Sequence, residues 1–245
     1  MDRNEFHTKF GNAGPIVLPV IHVLDTEQAA TNVEVARKGG CPGVYLINHD
    51  FEKEKLVPII KEVRNEFPDY WIGVNFLAVT GKDAFPILGK LQSEGCRVDS
   101  YWADDACIDE RRAEDDQVEA KTITQVRRDS GWDGLYVGGT CFKKQREVDP
   151  SMYGYSARLA CDHMDVVLTS GVATGHAADI GKIKIFRDNC GDTPLGIASG
   201  ITPENAADYA DDVDLFMVAT GINFDGDFYN IDPARLAQLM KNTQR

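Results

Sequence analysis

Apolar and polar positions alternate along this chain in a repeating block. Pro15-Ile16-Val17-Leu18-Pro19-Val20-Ile21-His22-Val23 is almost unbroken apolar sequence, as expected of a strand covered on both faces. Asp25 or Thr26 then caps a helix running to Lys38, which Gly39-Gly40 closes. The block recurs with Val44–Ile47 as strand and Leu56, Ile59, Ile60, Val63 and Phe67 at helical spacing. Trp71–Asn75 and Asp83–Glu94 form the third strand and helix, and Val98–Trp102 is a short fourth strand. A charged surface helix with a narrow apolar stripe is predicted over Asp109–Asp129. Gly134–Val137, Val166–Leu168, Pro194–Ala198 and Leu215–Ala219 read as the remaining strands. Helices are predicted over Asp149–Cys161 and Ala177–Asn189 and from Asp232-Pro233 to Lys241. Another is expected to open at Thr202-Pro203-Glu204, with Thr202 as N-cap and Pro203 at the first helical position.

Strand–helix alternation predicts a parallel sheet. Eight such units in 245 residues predict closure into a (β/α)8 barrel. An open doubly wound sheet is the alternative, but no GxGxxG follows the first strand. The chain reads as one barrel domain, 1–245, with 1–14 as a polar N-terminal extension.

Composition narrows the partners. Asp and Glu number 39 against 26 Lys and Arg, a net charge of −13, which opposes nucleic-acid binding, where clustered cations are required. A small phosphorylated ligand needs only a few amides and a cation. Six dispersed cysteines show no CxxC spacing, so reduced thiols and a cytoplasmic location are expected. No window is apolar enough for a membrane span or a signal core, so no membrane insertion is expected. A homo-oligomer is an open option.

A barrel carries its chemistry at the C-terminal ends of its strands. His22 is there either as a core histidine bonded to a backbone carbonyl or as a general acid/base. In Asn48-His49-Asp50, Asp50 reads as a helix cap, leaving Asn48 or His49 to face a ligand. The Asn75 amide needs partners that a ligand could supply. Asp104 and Asp105 could hold Mg²⁺, orient a sugar diol, act as a base, or merely cap a helix. Lys143 or Lys144 could neutralise phosphate or form a Schiff base, or be ordinary loop lysines. Thr169-Ser170-Gly171-Val172-Ala173-Thr174-Gly175, Ser199-Gly200 and Thr220-Gly221 are small-residue turns after the last three strands. Such turns offer backbone amides and hydroxyls to an anion.

These three turns, in Thr169–Gly175, Ala198–Asn205 and Ala219–Gly226, together with Asn230-Ile231-Asp232-Pro233-Ala234-Arg235, resemble the BtpA/SgcQ family of barrel proteins. That family is named for a photosystem I biogenesis factor and a sugar-operon product. The similarity is strongest over residues 165–245. Upstream, Val20-Ile21-His22 and Gly73-Val74-Asn75-Phe76-Leu77 are similar to its opening and third strands. Around the fifth strand, Gly138-Gly139-Thr140-Cys141-Phe142-Lys143-Lys144 replaces the Lys-His pair the family implies.

The resulting expectation is an enzyme for a small phosphorylated substrate, a sugar phosphate or phosphoribosyl compound, handled as an isomerase, lyase or transferase. Asn48, Asn75, Ser170, Gly171, Thr174, Ser199, Gly200, Thr220 and Gly221 would bind it. His22, Asp104 and Lys143 would do the chemistry, with no protein metal site assigned. The resemblance also implies the alternative of a non-catalytic assembly or stability factor.

Overall fold

The computed structural model describes residues 1–143, 145–173 and 175–243. Eight parallel strands close into a barrel in sequence order: β1 (Ile16–Val23), β2 (Gly43–Asn48), β3 (Trp71–Asn75), β4 (Ser100–Ala103), β5 (Leu135–Gly139), β6 (Val166–Ser170), β7 (Leu195–Ala198) and β8 (Leu215–Val218). β1 pairs with β8 through Pro19 and with β2 from Val20 onward. Pro19, which has no N–H to give, thus stands where β1 passes from one neighbour to the other. The helices are α1 (Arg3–Phe10), α2 (Thr26–Lys38), α3 (Lys53–Glu66), α4 (Gly81–Ser93), α5 (Val118–Ser130), α6 (Tyr153–Ala160), α7 (Ile180–Cys190) and α8 (Pro233–Thr243).

Alternate strand residues divide between two cores. Leu18, Val20, Tyr45, Trp102, Leu168 and Met217 fill the barrel interior. Ile21, Leu46, Val74, Tyr101, Tyr136 and Phe216 face the helices. The interior tolerates the Tyr45 hydroxyl because it meets Ser100 Oγ at 2.7 Å, and Ser100 donates on to the Leu135 carbonyl at 2.8 Å.

Several sequence expectations need correction. The stretch read as a polar extension contains α1, opened by a capping box between Asp2 and Glu5. Its buried Phe6 joins the interior core, and Phe10 packs edge-on against Trp71 at 5.4 Å. Arg3 and His7 both reach the fully buried carboxylate of Asp214, at 2.9 and 2.8 Å. Asp214 directly precedes β8, so α1 closes the N-terminal end of the barrel.

Among the described residues no α-helix stands between β7 and β8. Asn205 ties the segment into turns, accepting from the Thr202 N–H at 2.8 Å and donating to the Gly200 carbonyl at 2.8 Å. Thr202 Oγ1 accepts from Glu204 N–H at 3.2 Å, and the chain makes only a 3-10 turn at Ala206–Asp208 before β8. The charged helix begins at Val118, after a loop organised by buried Gln117, which accepts from the Asp109 N–H and donates to the Asp109 carbonyl. Asp50 does not cap α3, whose N-cap is Glu52; it accepts the Tyr229 hydroxyl at 2.9 Å.

Candidate active site at the barrel mouth

His22 ends the interior-facing series of β1. Its ring Nδ1 lies 2.8 Å from the Phe228 carbonyl. A carbonyl only accepts, so Nδ1 carries the hydrogen and Nε2 the lone pair. The Phe228 ring stacks on the imidazole at 3.8 Å and 10°, and His49 approaches edge-on at 4.9 Å. Burial outweighs the carbonyl and lowers the His22 pKa to about 4, helped by the nearby charges of His49 and Lys143. The ring is therefore neutral at physiological pH. His22 is thus bonded to a backbone carbonyl, as the first of its two readings expects, and its ring also lines the mouth.

A narrow cleft with a cavity volume of about 40 Å³ opens there. His22, Trp102 and Lys143 line it together with Ser199-Gly200 and Thr220-Gly221. The glycines in these turns serve loop packing. A Cβ on Gly221 would lie 1.9 Å from the Ile201 carbonyl oxygen, and one on Gly200 would lie 2.2 Å from the His176 carbonyl. Gly200 also has φ +72, a left-handed conformation that glycine adopts without strain. The turn after β8 is braced by Arg235, whose Nε donates to the Gly221 carbonyl at 3.0 Å and whose Nη2 meets Glu204 at 3.2 Å. Ser199 donates to the Ala173 carbonyl at 3.0 Å and accepts from Gly175 N–H at 3.2 Å, joining the loops after β6 and β7.

The other predicted residues divide. Asn75 is fully buried, with Nδ2 3.4 Å from Asp104 Oδ1. Its Oδ1 and the indole N–H of Trp102 have no hydrogen-bond partner among the described residues. Buried polar atoms of this kind are costly unless something binds them. Asn48 donates to the Phe51 carbonyl at 2.7 Å and accepts from Leu77 N–H at 3.1 Å, so it ties the loops after β2 and β3. Asp105 caps a local turn through Cys107 N–H at 2.8 Å. Among the described residues no group of three or more His, Cys, Asp or Glu gathers around a metal position.

Ser170 and Gly171 face a neighbouring groove, which Lys143 also borders. Ser170 Oγ accepts the Lys143 N–H at 2.8 Å and donates to the Gly171 carbonyl at 2.8 Å. Beneath them lies Lys182, buried in α7, whose ammonium donates to the carbonyls of Cys141 at 2.6 Å and Ser170 at 2.8 Å. It thereby links the loops after β5 and β6. Burial lowers its pKa to about 8. Thr174 and Lys144 lie outside the described residues.

Sequence reasoning took Trp102 only as a strand end, and did not find Phe228 or Lys182. The only signal for Trp102 was its place in the inward-facing register. Lys182 looked like any helix lysine, and Phe228 is 206 residues from the histidine it covers.

Fold and mouth together define a (β/α)8 barrel with its cleft at the C-terminal ends of the strands. Over residues 153–245 the chain matches the BtpA family, which bears out the resemblance carried by its last three turns. No curated protein matches the chain. Among solved structures, the tryptophan synthase alpha subunit from Legionella pneumophila str. Paris is similar at 14% identity and TM-score 0.68, covering 99% of this chain and 98% of that one. Phosphoribosyl anthranilate isomerase from Thermus thermophilus is similar at 13% identity and TM-score 0.61, over 93% and 97%. A native KDPGal structure follows at 11% identity and TM-score 0.60, over 92% and 93%. At these identities the likeness is one of fold.

Proposed function

We propose that this barrel is an enzyme acting on a small phosphorylated substrate, a sugar phosphate or phosphoribosyl compound. The observation that carries the reading is the composition of the cleft. It sets two small-residue turns after β7 and β8 near a neutral histidine and a lysine. The turns suit a phosphate, with backbone amides at Gly200 and Gly221 and the Thr220 hydroxyl as donors. Lys143 supplies the compensating cation. His22, neutral with its lone pair on Nε2, suits removal of a proton from substrate carbon or oxygen. Asp104 holds the Asn75 amide beneath the cleft lining, and the unpartnered Trp102 indole N–H, on a residue that does line the cleft, would donate to a substrate hydroxyl. Isomerisation, lyase chemistry and group transfer all fit this set. Phosphoribosyl anthranilate isomerase, which shares the fold, is by its name an enzyme of a phosphoribosyl compound, and this supports the substrate class.

A thermal-shift screen against phosphorylated sugars and nucleotides, with and without Mg²⁺, tests the proposal. A true ligand at a hundred times its Kd stabilises the fold by about 2.7 kcal/mol, or roughly 5–10 °C for a chain of this size. Lys143→Met and Thr220→Val would each reduce the shift, and unphosphorylated sugars would give much less. No shift with any phosphorylated compound would overturn the reading in favour of a non-catalytic barrel.

A further inference from the structure

The segment after β8 folds back across the mouth. Asn223 and Ile231 form an isolated antiparallel bridge, and the chain between them turns at Gly226. Most of what holds this strap comes from two side chains of α2. Asn32, only 2% exposed, accepts from Ile231 N–H at 2.8 Å and donates to the Tyr229 carbonyl at 3.2 Å and the Gln28 carbonyl at 3.0 Å. Gln28 Nε2 donates to the same Tyr229 carbonyl at 2.8 Å and to the His22 carbonyl at 3.2 Å. A buried asparagine on a helix face that otherwise presents Ala29, Val33 and Ala36 needs such partners to offset its desolvation. Here they lie in the strap and in its own helix.

The strap delivers one residue to the site. Phe228 places its carbonyl 2.8 Å from His22 Nδ1 and its ring flat against the imidazole. We infer that the strap, residues 223–231, is a positioning element held by Asn32 and Gln28, and that it fixes His22 in the Nδ1–H tautomer with Nε2 as the basic nitrogen. The inference takes the role of His22 as base from the reading above. Its test reads the ring itself, so either can fail without the other.

The ring can be followed by ¹⁵N NMR of histidine-labelled protein, with His22→Asn assigning the signal among the five histidines. In the wild type the expected result is one tautomer, Nδ1–H, that titrates far below an ordinary histidine. The charged or titratable groups around it are His49, Lys143 and Asp50. Phe228→Leu keeps the carbonyl and removes the stack, so the tautomer persists while the midpoint rises by about one pH unit or more as water reaches the ring. Asn32→Ala releases the strap, and both tautomers appear. A purely structural role for Asn32 would lower the melting temperature and leave the His22 signals unchanged. An Nε2–H tautomer in the wild type would overturn the inference. So would an unchanged His22 titration and tautomer in both variants. The wild-type and Phe228→Leu measurements decide the matter even where Asn32→Ala does not fold.

Discussion

Burial of His22 makes its protonation costly to the folded state. The unfolded imidazole takes up its proton near pH 6.5 and the folded one near 4. Between these values the unfolded chain binds more protons, so stability falls as pH is lowered through that window. The full loss, on the order of 3 kcal/mol, is reached below about pH 4. Urea unfolding across pH 4–7 is expected to show this slope, and His22→Asn is expected to flatten it. The glycine turns give a second prediction at this scale. Gly221→Ala places a methyl 1.9 Å from the Ile201 carbonyl oxygen, and overpacking of this kind costs about 1–3 kcal/mol. A lower melting temperature without any ligand present would show that the glycine is needed for loop contact. The turns were legible in the sequence as small-residue punctuation, but what their missing side chains make room for was not. The contacts of Gly200 with His176 and of Gly221 with Ile201 arise only when the barrel brings those loops together.

Among the elements, α1 carries the clearest prediction. Its Phe6 fills the lower end of the interior, and Phe6→Ala is expected to cost about 3–5 kcal/mol in urea unfolding. Asp214 is bound by Arg3, His7 and Arg187 and by the Leu195 N–H. Asp214→Ala would strand these partners, and loss of one member of a buried charge cluster costs about 3–5 kcal/mol. Strands were the readable elements because burial on both faces gives unbroken apolar runs such as Ile16–Val23. The N-terminal helix was not readable, since one buried phenylalanine among polar residues leaves almost no pattern. Thr202-Pro203-Glu204 has the grammar of a helix start, yet Asn205 turns the chain instead. Local capping signals act only where enough chain follows to propagate a helix.

For the whole molecule, the repeating alternation was enough to imply the closed barrel, and the ends of its strands to imply where the mouth lies. It could not show which mouth residues meet. His22, Lys143, Ser199, Gly200, Thr220 and Gly221 share one cleft, whereas Asn48 and Ser170 bind neighbouring loops together. The net charge of −13 makes a local cation the more necessary for the proposed anionic ligand, and Lys143 lines the cleft. Among the described residues no helix is long and apolar enough to cross a membrane.

In the proposed function a phosphorylated small molecule binds with its phosphate on the turns after β7 and β8. Amide-resolved NMR during titration with the compound that gives the largest thermal shift tests it most directly. The largest perturbations are expected at Ser199–Ile201 and Thr220–Ile222, with those at the turns reproduced in part by inorganic phosphate alone. Perturbations confined to other loops, or none at these turns at saturating ligand, would contradict it.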